Sequence, residues 1–83
     1  MKYYVTMTDK FMSGWGMAAN KINKMIVECD TWQQAEQIER AARARSEMRR
    51  VNICTTKPRY GAHVVESWKT WGDLGPIWKG ALA

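Results

Sequence analysis

Eighty-three residues with a 46% hydrophobic share fit one domain, residues 1–83, and leave no room for two separate cores. Thirteen Lys and Arg against eight Asp and Glu give a net charge of +5, which favours anionic partners: nucleic acid, nucleotides or an acidic protein surface. No apolar run approaches membrane-spanning length and residues 1–9 lack the pattern of a secretory signal, so a cytoplasmic location without membrane contact is expected.

Residues 2–8 alternate, with Tyr3, Val5 and Met7 on one side and Tyr4, Thr6 and Thr8 on the other, the period of a half-buried strand. Residues 9–21 hold Ser13, Gly14, Gly16 and Asn20 without a sustained period and read as a long loop, a kind of connection that often carries function. A second strand follows over 22–29, where Met25, Val27 and Cys29 share a face. Asp30 with Gln33, or Thr31 with Gln34, supplies a capping box for a helix expected to run to Glu47 or Met48. Ala35, Ile38, Ala42 and Arg45 recur at helical spacing with Ala41 and Ala44 beside them, a buried face mostly of small residues that lies close on a sheet, and the pairs Glu36/Arg40 and Glu39/Arg43 stand in the favourable four-residue order.

A third strand is expected over 51–55 and a fourth over 62–68, joined as a hairpin through Lys57-Pro58-Arg59-Tyr60-Gly61. The turn-rich, aromatic tail from Trp71 to Trp78 is expected to wrap back over the domain. The fold class is therefore α+β: a small antiparallel or mixed sheet of about four strands with one helix on one face, in the order strand, strand, helix, strand, strand.

Catalytic and metal residues are not assigned, and no cofactor is expected. The chain has one histidine, His63, no nucleophile motif around its serines, no Walker loop and no dinucleotide fingerprint. A Cys54 and His63 pairing across the proposed hairpin is the one catalytic arrangement to weigh, against the commoner fate of a lone cysteine as a small buried hydrophobe. Cys29 and Cys54 lack C-x-x-C spacing and read as two reduced, buried thiols, not as a zinc site. Arg49 and Arg50 read as cations favouring the negative end of the helix dipole.

The candidate binding residues lie on loops. Lys10, Ser13 and Trp15 belong to a stretch in which Gly14 and Gly16 let backbone amides approach a bound group while Trp15 stacks on a flat ring. The plainer reading is that Phe11, Met12 and Trp15 plug the end of the sheet. Lys57, Arg59 and Tyr60, on a loop stiffened by Pro58, suit a phosphate with an attached base, although such a loop is more often a solvated one. Trp71 is expected to form a third wall. Five Trp, three Tyr and one Phe exceed what a minimal core needs, so self-association as a homo-oligomer is expected as well.

The run Tyr4-Val5-Thr6-Met7-Thr8-Asp9-Lys10-Phe11-Met12-Ser13-Gly14-Trp15-Gly16, with Asn52-Ile53-Cys54-Thr55 and Trp68-Lys69-Thr70-Trp71, resembles a group of small uncharacterised bacteriophage and prophage proteins. The resemblance spans nearly the whole chain and brings no catalytic residues with it. It implies a phage accessory protein acting inside a bacterial host cell, of the kind that counters host defence. The expected function is non-catalytic sequestration of a small anionic ligand, a nucleotide signal of antiviral defence, through Lys10, Ser13, Trp15, Arg59, Tyr60 and Trp71. The alternatives are a protein-protein inhibitor of a host defence complex and a non-specific nucleic-acid-binding protein.

Overall fold

The computed structural model describes residues 1–9, 21–46 and 48–80. Four strands form one mixed sheet: β1 (Tyr3–Asp9), β2 (Ile22–Cys29), β3 (Met48–Cys54) and β4 (Val64–Thr70). Their order across the sheet is β3-β1-β2-β4. The chain thus follows the expected strand, strand, helix, strand, strand sequence. β1 is antiparallel to both β2 and β3, whereas β4 lies parallel to β2.

Helix α1 (Trp32–Arg43) follows β2 directly. Of the two capping arrangements foreseen, Thr31 with Gln34 forms: the Thr31 hydroxyl accepts from the Gln34 amide at 3.2 Å, and Gln34 Oε1 accepts from the Asp30 amide at 2.8 Å. Lys2 donates to the Asp30 carboxylate and ties the start of β1 to the helix entry. Ala35, Ile38 and Ala42 are fully buried, so small side chains bring the helix axis near the sheet. Glu39 pairs with Arg43 at 3.4 Å, while Arg40 contacts Gln37 Oε1 at 3.5 Å in place of the expected Glu36.

The helix ends earlier than the sequence pattern implied. Ala44 caps it, so Arg45 falls beyond the helical stripe and lies over the Trp78 ring; β3 already begins at Met48, so Arg49 and Arg50 are strand residues and do not serve the helix dipole. Glu and Arg have good helix propensity, but here pairing of residues 48–54 with β1 outweighs it.

The helix-side core consists of Val5, Met7, Val27, Cys29, Ala35, Ile38, Ala42, Val51 and Leu74. A 3-10 turn (Trp71–Asp73) and a short helix α2 (Pro76–Lys79) fold back onto this side, with Trp71 and Trp78 packed against the core. Arg45 lies over the Trp78 ring at 5.0 Å and Lys79 over the Trp71 ring at 5.6 Å. At Gly80 φ is +56°, and a Cβ there would stand 2.8 Å from the Gln37 side chain, so the chain turns beside α1 where only glycine is comfortable.

The hairpin expected between the last two strands does not form. β3 and β4 occupy opposite edges of the sheet, and residues 55–63 cross from one to the other. The register sets Cys54 level with Tyr4, Glu28 and Thr70, whereas Val64 is level with Ile22. The connection must therefore travel about 20 Å back along the strands and about 14 Å across them, a diagonal of about 25 Å, against a reach of about 33 Å for that length of chain. It is a nearly extended strap laid corner to corner. Because α1 already covers the other side, the strap passes over the helix-free face.

Candidate functional site

Strand alternation decides which side chains meet the strap. With Val5, Met7 and Val27 turned to the helix, Tyr4, Thr6, Thr8, Lys24, Ile26 and Glu28 face the other way, joined across the ladders by Asn52, Cys54, Glu66 and Trp68. Ile26 is fully buried, and Tyr4 and Thr6 are nearly so, despite lying opposite the helix. Trp68 meets Tyr4 edge to face with ring centroids 6.3 Å apart. Tyr60, from the strap, is hydrogen-bonded to the Thr6 side chain. Burial pushes the Tyr60 phenol above its ordinary value, against the opposing effect of that hydrogen bond.

Tyr60 divides the face into two depressions. The first, of about 660 Å³, is lined by Lys57, Pro58, Arg59, Tyr60, Glu66 and Trp68. Here the Lys57 ammonium sits 5.3 Å from the centre of the Trp68 ring, and the Trp68 indole N–H donates to Glu66 Oε1 at 3.3 Å. Trp68 keeps 39% of its surface exposed, so a large flat ring remains available beside two cations.

The second depression, of about 460 Å³, is lined by Thr8, Ile22, Lys24, Arg49, Arg50, Tyr60, His63 and Val64. Two consecutive arginines reach it because β3 bulges. Thr6 pairs with Asn52 and Thr8 with Arg49, so Arg50 and Val51 together oppose Met7. Arg50 adopts φ +53°, the left-handed region that such bulges ordinarily give to glycine, and its carbonyl accepts from Asn52 Nδ2 at 3.3 Å. The extra residue keeps Met48 and Val51 on the helix side and sets Arg49 and Arg50 toward the opposite face. Lys24 donates to Thr8 Oγ1 and lies 5.8 Å from the Tyr60 ring centre. Burial lowers the Lys24 pKa, and the nearby Arg50 charge lowers it further.

The structure places Lys57, Arg59 and Tyr60, grouped already in the sequence, around one depression, and adds Trp68. Trp71 is not with them. It follows β4 by a turn that carries it to the helix side of the sheet, where it packs on the core under Lys79. Trp68, three residues earlier, takes the place expected for it, because residue 68 faces the strap in register with Ile26. Lys10, Ser13 and Trp15 lie outside the described residues. Lys24, Arg49, Arg50 and His63, which line the second depression, are not among the binding candidates read from the sequence; His63 is weighed there only with Cys54, and the two arginines only as helix-end cations. For Arg49 and Arg50 the signal in the sequence is the spacing of Met48 and Val51: two core residues three apart in a strand imply a bulge between them.

Cys54 and His63 do not meet. Cys54 ends β3 at one corner of the sheet and His63 precedes β4 at the opposite corner, with the full strap between them. Of the two thiols expected to be buried, only Cys29 is, on the helix side, its thiol pushed up to about 11 by burial, with Asp30 and Glu28 adding to the shift; Cys54, at the end of an edge strand, is half-buried. Among the described residues no three His, Cys, Asp or Glu side chains cluster as metal ligands would, and no helix is long and apolar enough to cross a membrane.

Comparison with protein-family models, with curated proteins and with solved structures returned no match. The fold is that of an α+β domain with a four-stranded mixed sheet, one face covered by a helix and the other by a strap.

Proposed function

We propose that this protein binds and sequesters a nucleotide on its helix-free face without acting chemically upon it. The observation that carries the reading is the first depression, where the Trp68 ring, the Tyr60 ring, Lys57 and Arg59 converge. Its volume falls in the range of small-ligand sites. An aromatic face stacks on a base, and two cations from a strap held at both ends meet a phosphate. The role in a cell rests on the resemblance to phage proteins: a stoichiometric sponge, probed best as a homo-oligomer by light scattering, which withholds a nucleotide signal from host defence.

Thermal melting against a panel of mononucleotides, cyclic nucleotides and ADP-ribose tests the reading. A ligand at a hundred times its Kd stabilises the folded state by about 2.7 kcal/mol, which a small domain reports as a shift of many degrees. Lys57→Gln and Arg59→Gln should each reduce the shift without lowering the melting temperature of the free protein by more than about 0.5 kcal/mol equivalent, as surface changes do. Absence of any shift across the saturated panel would refute the proposal. Binding that collapses steeply with added salt would instead assign the face to non-specific nucleic-acid contact.

A further inference from the structure

We infer that the second depression is a separate phosphate subsite, and that the ligand of this face is a dinucleotide whose two phosphorylated nucleoside units straddle Tyr60. The inference rests on the nucleotide reading above and extends it. Both depressions share the Tyr60 wall and lie on the same face, so one molecule bridging the strap contacts both. Their linings differ in kind. The first combines an exposed indole with cations and suits a base with its phosphate. The second gathers Lys24, Arg49, Arg50 and His63, with no carboxylate among its described lining residues, and suits a phosphate.

The second depression is costly to build. Left-handed backbone at a residue other than glycine is unfavourable, yet Arg50 adopts it, and the result is one more guanidinium beside Arg49. Burial lowers the Lys24 pKa and the nearby Arg50 charge lowers it further, while Glu66, its neighbour in register on β4, accepts from the Trp68 indole instead. A phosphate between these groups offsets the charge crowding: it lies between the cations, accepts their hydrogen bonds and favours the charged form of Lys24. The strap limits length as well as position, since Tyr60 is a single partition between two spaces and each takes one unit.

The test is calorimetric titration with adenosine monophosphate, with end-phosphorylated linear diadenylate, with cyclic diadenylate and with longer oligoadenylates. Linking two units makes the second contact intramolecular, so a dinucleotide should bind at least about tenfold more tightly than the mononucleotide. Longer oligomers should add nothing. Arg49→Gln and Arg50→Gly should bring the ratio of the two affinities toward one, whereas Lys57→Gln should weaken both ligands. Circular dichroism of each variant confirms that it is folded. Equal affinity for mononucleotide and dinucleotide would overturn this inference and leave the nucleotide reading intact. Affinity that keeps rising with oligomer length would overturn it in favour of strand binding. Failure of every nucleotide to bind would overturn the parent reading, and this one with it.

Discussion

Arg50 offers the sharpest test of the architecture, because its backbone and its charge can be separated. Left-handed backbone costs a residue with a Cβ about 1–2 kcal/mol, and glycine escapes that cost. Glycine also gives the unfolded chain extra freedom worth about 0.5–1 kcal/mol, which partly offsets the gain. Arg50→Ala removes the guanidinium beside Lys24 and keeps the strained φ of +53°, whereas Arg50→Gly removes both. The glycine variant should therefore be more stable than the alanine variant by about 1 kcal/mol, a difference of about 4–8 °C in melting temperature for a domain of this size. The bulge itself should survive in both, since Asn52 donates to the backbone carbonyl of residue 50 and not to its side chain. Urea titration followed by circular dichroism gives the two stabilities directly. Equal stability of the two variants, or a less stable glycine, would refute the claim that β3 is strained at this point.

The same experiments extend to three other places. Leu74 is 8% exposed and is the buried anchor of the C-terminal turn, so Leu74→Ala should cost about 3 kcal/mol by the usual sum of transfer and cavity effects, measured by denaturant titration. Cys29, with its thiol pushed up to about 11 inside the core, should resist a thiol reagent at pH 8 while the half-buried Cys54 reacts, so mass spectrometry should find single labelling in the native protein and double labelling in denaturant. Asp73 accepts from the Thr70 amide and hydroxyl, both at 2.9 Å, and these bonds hold its carboxyl below the ordinary range. Because the folded pKa is the lower one, the stabilisation is present above the unfolded pKa and is lost as pH falls through the folded value. Asp73→Asn should therefore lower the melting temperature at neutral pH, with the deficit shrinking under acid; a deficit independent of pH would refute the assignment.

What the sequence made legible was whatever depends on neighbours close along the chain. The alternation in β1, the helix cap and the stripe of small residues are each decided within a few residues: the alternation appears as read, the cap as one of the two arrangements open, and the stripe at Ala35, Ile38 and Ala42 though not at Arg45. The sheet order was not legible. Pro58 and Gly61 between two short strands look like a hairpin, and nothing local reveals that β1 and β2 lie between those strands. That one non-local fact also moved the aromatic wall from Trp71 to Trp68, because register with β2, and not spacing, decides which indole faces the strap. The arginines after the helix were misread for the converse reason: they continue a favourable helical composition, and only their pairing with β1 ends it.

The strap also gives the two faces different histories. Residues 1–54 contain α1, three adjacent strands and most of the helix-side core, whereas the opposite depressions exist only once β4 has found β2 in parallel and drawn the strap diagonally across. Parallel pairing across so long a closure is slow compared with local helix and hairpin formation. Every lining residue of the first depression lies beyond residue 54, so a chain shortened at the end of β3 would keep α1 and three adjacent strands but lose that depression entirely, together with Leu74 from the core.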